Sequence, residues 1–346
     1  MTSMGLVWFS AGLHSSPLKR HLPHARIGGD EAVCPARLSR SREWHPRPCS
    51  CQQLVGGAAS PVAGGGRLGP GRGPATPGGT PARARPGLRW TGAPPFTRPG
   101  RRRERFGAAY DELAQAATVV VPDLLGFGGS MDATGPTDAQ AHIAALDAAL
   151  TALGLQDRPT IVAGHSMGGV LAIRWAAAHR DRVRAVLTSG APLYRNRAEA
   201  DAHIGAIGPM EALLAGDGPL PRAACAWMCR HRSAASWLAV AYRPDLPIPV
   251  ARSGVKHTWD TYSGAMDGLI RDDGWLPALD ALDRIPLTLA AGDYDPVPVP
   301  GRAAELARAR PTLRSVVHPQ ADHGLPLTHP DWCRQLVSEA LTIQPG

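Results

Sequence analysis

The 346-residue sequence predicts an α/β architecture: a mostly parallel sheet with helices on both faces and a helical insertion, preceded by a disordered N-terminal segment. Three observations carry this expectation. From Phe106 onward, apolar runs with β-branched residues alternate with stretches of helical periodicity; between about Arg195 and Trp275 the alternation stops; and the composition changes abruptly near Arg105. Strands that alternate with helices imply parallel pairing through right-handed crossovers, and ligands in such sheets sit at the carboxyl ends of the strands.

The change at Arg105 divides the charge. Residues 1–105 hold 17 Lys+Arg against 4 Asp+Glu, whereas residues 106–346 hold 20 against 25, so the net charge of +8 arises wholly in the first block. That block also carries 17 Gly and 14 Pro, a level typical of low-complexity chain that cannot bury enough apolar surface to offset its ordering entropy. The run "MGLVWFS" from Met4 to Ser10 is too short to span a bilayer and makes a poor signal peptide, so a cytoplasmic protein is expected. Cys34, His45, Cys49 and Cys51 are too weakly spaced for a zinc site, and Cys225, Cys229 and Cys333 read as reduced thiols.

In the second block, "FGAAYDELAQAA" reads as a short helix and "TVVVPD" as a strand buried on both faces. Thr137 to Leu155 repeats apolar residues at helical spacing, with Thr137 as N-cap candidate. "PTIVAG" and "VRAVLTSGA" are strands separated by an Ala-rich helix. "IPLTLAAGD" and "RSVVHPQADH" are later strands, followed or separated by the helices "GRAAELARARP" and "HPDWCRQLVSEALTI". The expected units are therefore residues 1–105 as the Arg/Gly/Pro segment, 106–194 and 276–346 as two parts of one core, and 195–275 as a helical cap. Four tryptophans, Trp227, Trp237, Trp259 and Trp275, fall in that cap. They pack the cap onto the core or form an apolar wall over a pocket, with His165, Trp227 and Trp237 as candidate substrate contacts.

The strongest local signal is Gly164-His165-Ser166-Met167-Gly168, placed after a strand and before a helix. G-x-S-x-G in that setting holds Ser on a strained turn, where glycine on either side removes clashes and the Oγ is pushed outward. The Met167 N–H, at a helix N-terminus, then faces a developing oxyanion. A serine hydroxyl needs a base and the base an orienting acid. Asp293 and Asp295 follow one strand, and His323 lies on the loop after another.

Together these motifs make residues 106–346 resemble the α/β-hydrolase superfamily, of the small bacterial serine esterase-like type with a helical cap. "VVPDLLGFGGS" is similar to its strand-four loop, "GHSMGG" to its nucleophile elbow, "GDYDPVPVP" to its acid loop and "ADHGLPLTHPDW" to its histidine loop. The resemblance implies Ser166, Asp295 and His323 as catalytic triad, selecting Asp295 over Asp293 and His323 over His329. Met167 would be one oxyanion donor. It implies cleavage of an ester or related acyl bond through an acyl-enzyme, on a small-molecule substrate, with no cofactor or metal, no nucleic acid and no membrane. The alternatives are an inactive or non-catalytic ligand-binding protein and a cofactor-free haloperoxidase-like activity.

The family also begins with two or three strands, the third ending in an H-G turn that supplies the second oxyanion N–H. Residues 1–105 show neither feature; "GLHSSP" contains His14 without a following glycine. Arg/Gly/Pro richness is what GC-rich coding DNA yields out of frame, so residues 1 to about 104 are expected to be a frameshifted or wrongly started translation. The rival reading, a basic arm for acidic partners, lacks aromatic interleaving.

Overall fold

A strand from the segment expected to hold none lies inside the sheet. The computed structural model describes residues 4–10, 108–131 and 134–343. Its described strands are β1 (Met4–Ser10), β2 (Ala117–Val120), β3 (Thr160–His165), β4 (Val183–Ser189), β5 (Leu287–Gly292) and β6 (Leu313–His318). They form one parallel sheet in the order β2-β1-β3-β4-β5-β6. β1 pairs with β2 on one side, Leu6 opposite Val119, and with β3 on the other, Leu6 opposite Ile161.

This corrects the expectation that residues 1–105 contribute no strand. Average composition over a long block hides a seven-residue run, and a short, mostly apolar stretch such as "MGLVWFS" is all that a buried parallel strand requires. Leu6 packs on one face with Ile161, Leu187 and Val337, and Val7 on the other with Val162, Val170 and Trp175. The remainder of that block, with His14 and the Cys34, His45, Cys49 and Cys51 group, lies outside the described residues.

A 3₁₀ turn (Ala108–Gln115) leads into β2. The helices are α1 (Ala139–Ala152), α2 (Met167–Ala178), α3 (Arg197–Ile207), α4 (Pro209–Ala215), α5 (Pro219–Arg230), α6 (Arg232–Tyr242), α7 (Ile248–Ser253), α8 (Trp259–Ala265), α9 (Trp275–Asp280), α10 (Arg302–Ala309), α11 (Leu325–Thr328) and α12 (Pro330–Leu341). α1, α2, α9 and α10 contribute to the core on one face of the sheet, through residues such as Leu146, Trp175, Leu279 and Leu306. α12 and the 3₁₀ turn cover the other through Leu336, Val337, Tyr110 and Leu113. Trp175 and Trp275 are wholly buried; each removes on the order of 200 Å² from water, worth about 5 kcal/mol before ordering costs.

Between β4 and β5 the chain is helical, α3 to α9 with a π-helical turn at Met266–Ile270. Stretches that read as single helices are divided: α3 stops before Gly208-Pro209, because proline cannot continue the ladder but suits a helix start, and α5 and α6 meet at His231. The cap of α1 is Asp138, whose carboxylate accepts from Ala141 N–H at 2.8 Å. Thr137, expected there, donates its hydroxyl to the Thr261 carbonyl and so ties α1 to α8.

The strand order places the site. From β1 the chain goes to β2 on one side, and from β2 it returns to β3 on the other, after which β4, β5 and β6 add outward. The edge between β1 and β3 is therefore a topological switch point, where crossovers diverge and leave a crevice at the carboxyl ends. Ser10 and His165 are paired there, one residue before Ser166.

Candidate active site

Crowding of the backbone dictates the turn at Ser166. A Cβ on Gly164 would lie 2.1 Å from the Gly168 carbonyl oxygen, and one on Gly169 would lie 2.9 Å from the Ala191 Cβ. α2 can approach β3 and the end of β4 this closely only without side chains at these positions. Ser166 itself has φ 55° and ψ −127°, and no other non-glycine among the described residues has positive φ. Strain of that kind costs about 1–3 kcal/mol and persists where surrounding packing over-determines it. Although Ser166 stands at the N-cap position of α2, its side chain makes no capping hydrogen bond. The side chain lines a cavity instead.

Asp295 and His323 come together from loops after β5 and β6. His323 Nδ1 lies 3.0 Å from both Oδ1 and Oδ2 of Asp295, and both side chains are almost fully buried. A carboxylate only accepts, so the ring presents Nδ1–H to it and keeps a lone pair on Nε2. Asp295 is held in turn: Val297 N–H donates to Oδ1 at 3.0 Å, and the Tyr194 hydroxyl donates to the Val297 carbonyl at 2.8 Å. A Cβ on Gly292 would lie 2.1 Å from the Ala321 carbonyl oxygen, so the acid and histidine loops meet backbone to backbone.

Gly190 joins these parts. Ser166 N–H donates to the Ser189 carbonyl, and Gly190 follows with φ 59°. A Cβ there would lie 2.7 Å from Asp295 Oδ2 and 2.9 Å from His323 Nδ1. The end of β4 thus separates the elbow from the acid–imidazole pair by one bare backbone residue. The "SGA" after that strand held the signal, yet glycine there reads equally well as an ordinary turn.

Asp293 is exposed, while Asp123 accepts from Gly129 N–H and fastens the loop after β2. His329 precedes α12 without capping it by its side chain, and its ring rests 4.1 Å from that of His318. His165 is not in the cavity wall. Buried beside His323, with ring centroids 4.7 Å apart, it hydrogen-bonds the His323 carbonyl through Nε2 at 2.7 Å.

The cavity, about 660 Å³ with its mouth, lies between core and cap. The core supplies Phe127, Ser166, Met167, Pro192, Tyr194 and Val297; the cap supplies Ile204, Ile207, Glu211, Leu214, Ala215, Tyr262, Met266 and Ile270. Trp227 and Trp237, expected as possible wall residues, are 40% and 53% exposed and stand outside it. Their helices bury Cys225, Ala235 and Ser236 instead, and Arg252 covers the Trp237 ring at 4.7 Å. Trp275 alone of the four is wholly buried, donating its indole N–H to the Tyr194 carbonyl. Among the described residues, no helix is long and apolar enough to cross a membrane.

Known proteins agree with this architecture. Residues 106–225 match the α/β hydrolase fold family. A 69-residue stretch is 44% identical to lipase LipV of Mycobacterium tuberculosis, covering 20% of this chain and a quarter of that protein's length. A carboxylesterase of the thaumarchaeon Nitrososphaera gargenis superposes with a TM-score of 0.51 at 17% identity, over 68% of this chain and 85% of that one. E-2-(acetamidomethylene)succinate hydrolase gives the same TM-score at 20% identity, over 68% and 86%. The chain thus has the α/β-hydrolase fold, and its residues 106–225 match that family's model.

Proposed function

We propose that this protein is a serine hydrolase that cleaves an ester or related acyl bond through an acyl-enzyme. One observation carries the reading: a buried Asp295–His323 pair stands one glycine away from a serine on a strained turn, whose side chain faces a largely apolar cavity. Ser166 Oγ attacks the acyl carbon while His323 Nε2 takes its proton. Asp295 keeps the imidazole in the reactive tautomer and stabilises the imidazolium. The tetrahedral oxyanion takes a hydrogen bond from Met167 N–H at the start of α2, where the helix dipole adds to it. His323 then passes the proton to the departing alcohol, and water repeats the sequence to free the acid.

Small-molecule esters are the expected substrates, by analogy with the matched lipase and the carboxylesterase. Fluorophosphonate labelling tests the reading. Labelling at Ser166, lost in Ser166→Ala, with burst kinetics on nitrophenyl esters supports it; a folded protein that neither labels nor turns over any ester refutes it.

A further inference from the structure

Along α5 and α6 the large apolar side chains face water and small ones face the protein. Inward, these helices bury Pro221, Cys225, Ala235 and Ser236. Leu220 and Leu238 are 66% and 59% exposed, and Trp227, Trp237 and, on α7, Ile248 are exposed as well. Five of the nine large apolar side chains exposed among the described residues thus fall within residues 220–248, too dense a group for the scattered singles of an ordinary surface. Steps of three and four residues put Leu220, Ala223 and Trp227 on one face of α5, and Ala234, Trp237, Leu238 and Ala241 on one face of α6. Positions on the other side hold the helices to the protein. Arg232 donates to the Val255 carbonyl at 2.7 Å, Cys229 donates to the His257 carbonyl, and Val240 packs with Val250 of α7 and Leu327 of α11.

The same stretch reverses the sign of its surroundings. Residues 219–252 hold 5 Arg against 1 Asp, whereas the rest of residues 106–346 holds 15 Lys+Arg against 24 Asp+Glu. Asp245, the acidic residue inside the stretch, is paired with Arg243, and Asp217, just before it, with Arg197 and Arg271. Arg222, Arg230, Arg232 and Arg252 pair with no carboxylate among the described residues: Arg230 is exposed, and the others meet neutral groups. The Arg252 guanidinium lies 4.7 Å from the Trp237 ring, so cation and apolar surface occur side by side. Aliphatic side chains gain nothing from stacked bases, so Leu220, Leu238 and Ile248 argue against a nucleic acid. A second copy of the chain would bring like charges face to face. A lipid surface with anionic headgroups satisfies both features. Leucine, isoleucine and tryptophan enter the boundary between headgroups and acyl chains, while arginine stems lie along it and their guanidinium groups bind phosphate.

We propose that α5, α6 and α7 dock this protein on the surface of an anionic lipid bilayer, with Trp227, Trp237 and Leu238 inserted at the headgroup boundary and Arg222, Arg230, Arg232 and Arg252 on lipid phosphates. Lying on a membrane requires only a helix face, and no described helix crosses one. Docking is independent of the chemistry at Ser166 and is measured without turnover. The test is co-sedimentation of the full chain with vesicles of phosphatidylglycerol and phosphatidylcholine, against phosphatidylcholine alone, in 0.15 M salt (about physiological ionic strength). Binding to the anionic vesicles should be tighter by about 10-fold or more. Replacing Trp237 and Leu238 together by serine should weaken it by about 10-fold or more, and Arg230→Gln by about fivefold. Leu153→Ser, at an exposed leucine after α1, should leave it unchanged. Brominated acyl chains should quench wild-type tryptophan fluorescence. Phenylalanine at both 227 and 237 should preserve binding and remove most of that quenching. Near-UV circular dichroism shows that each variant is folded. Absence of binding to the anionic vesicles overturns the proposal. So does binding that the double serine variant leaves unchanged, which would assign it to the basic residues 1–105. Self-association that this variant abolishes, without vesicle binding, overturns it in favour of a second copy.

Discussion

On the core side of the cavity, position is imposed by backbone. Gly164, Gly190 and Gly292 each sit where a Cβ would come within 3 Å of another chain segment or of the Asp295–His323 pair. On the cap side, position is imposed by side chains. Arg271, with its side chain 4% exposed, gathers Asp201, Asp217 and Asp267, and the helices around it expose Leu220, Trp227, Trp237, Leu238 and Ile248. Crowded backbone tolerates almost no substitution. A side-chain clasp holds a wall while leaving its lining residues open to change. The two sides of the cavity are thus built by different means in one molecule.

The contrast can be broken first at Asp295. Asparagine would offer an N–H to His323 Nδ1 and favour the wrong tautomer, so Asp295→Asn should lower kcat on a nitrophenyl ester by about 10⁴-fold with the fold intact. Near-UV circular dichroism checks the second half of that statement. Next comes Gly164→Ala, which forces β3 from α2 and should cost about 3 kcal/mol or more in urea unfolding. A loss under 1 kcal/mol would mean that the elbow is far softer than its contacts imply.

In the cap, Arg271→Ala should cost about 1–2 kcal/mol, less than a fully buried pair, because its three partners are half exposed and regain water. Limited proteolysis should then cut between α3 and α5 before the core. A smaller effect follows pH. Burial of His142 in α1 holds its imidazole below the ordinary value. Between that lowered value and about 6.5 the unfolded chain binds a proton that the folded one does not, so stability falls as pH drops through this window and is flat above it. The slope is at most about 1.4 kcal/mol per pH unit for this group, and His142→Phe should flatten the curve. Smallest of all, Trp237→Ala should change stability by about 0.5–1 kcal/mol, the worth of its stacking with Arg252, and leave ester kinetics unmoved. A large kinetic effect would place the exposed cap face in substrate handling.

Much of the core was legible because its signals are local. A buried parallel strand announces itself as an apolar run, as "TIVAGH" does, and the elbow needs its small residues at adjacent positions. β1 was missed for the opposite reason: its seven residues are a good strand, but strand pairing is non-local, and the block around them reads as low complexity. Trp227 and Trp237 stand outside the wall because falling in a cap shows that a side chain is near a pocket without showing what covers it. The assignment of Cys225, Cys229 and Cys333 as free thiols agrees with the structure, where burial pushes the Cys225 and Cys333 thiols up to about 12.

The sequence by itself determined the α/β class, the elbow and the residue types proposed as acid, base and nucleophile, since each depends on neighbours within a few positions. Tertiary structure alone decided that Met4–Ser10 lies between β2 and β3, that His165 supports the His323 carbonyl, and that Gly190 stands between elbow and pair. It also placed Glu211 in the wall of the cavity. Those are contacts between segments tens or hundreds of residues apart, and no local periodicity encodes them.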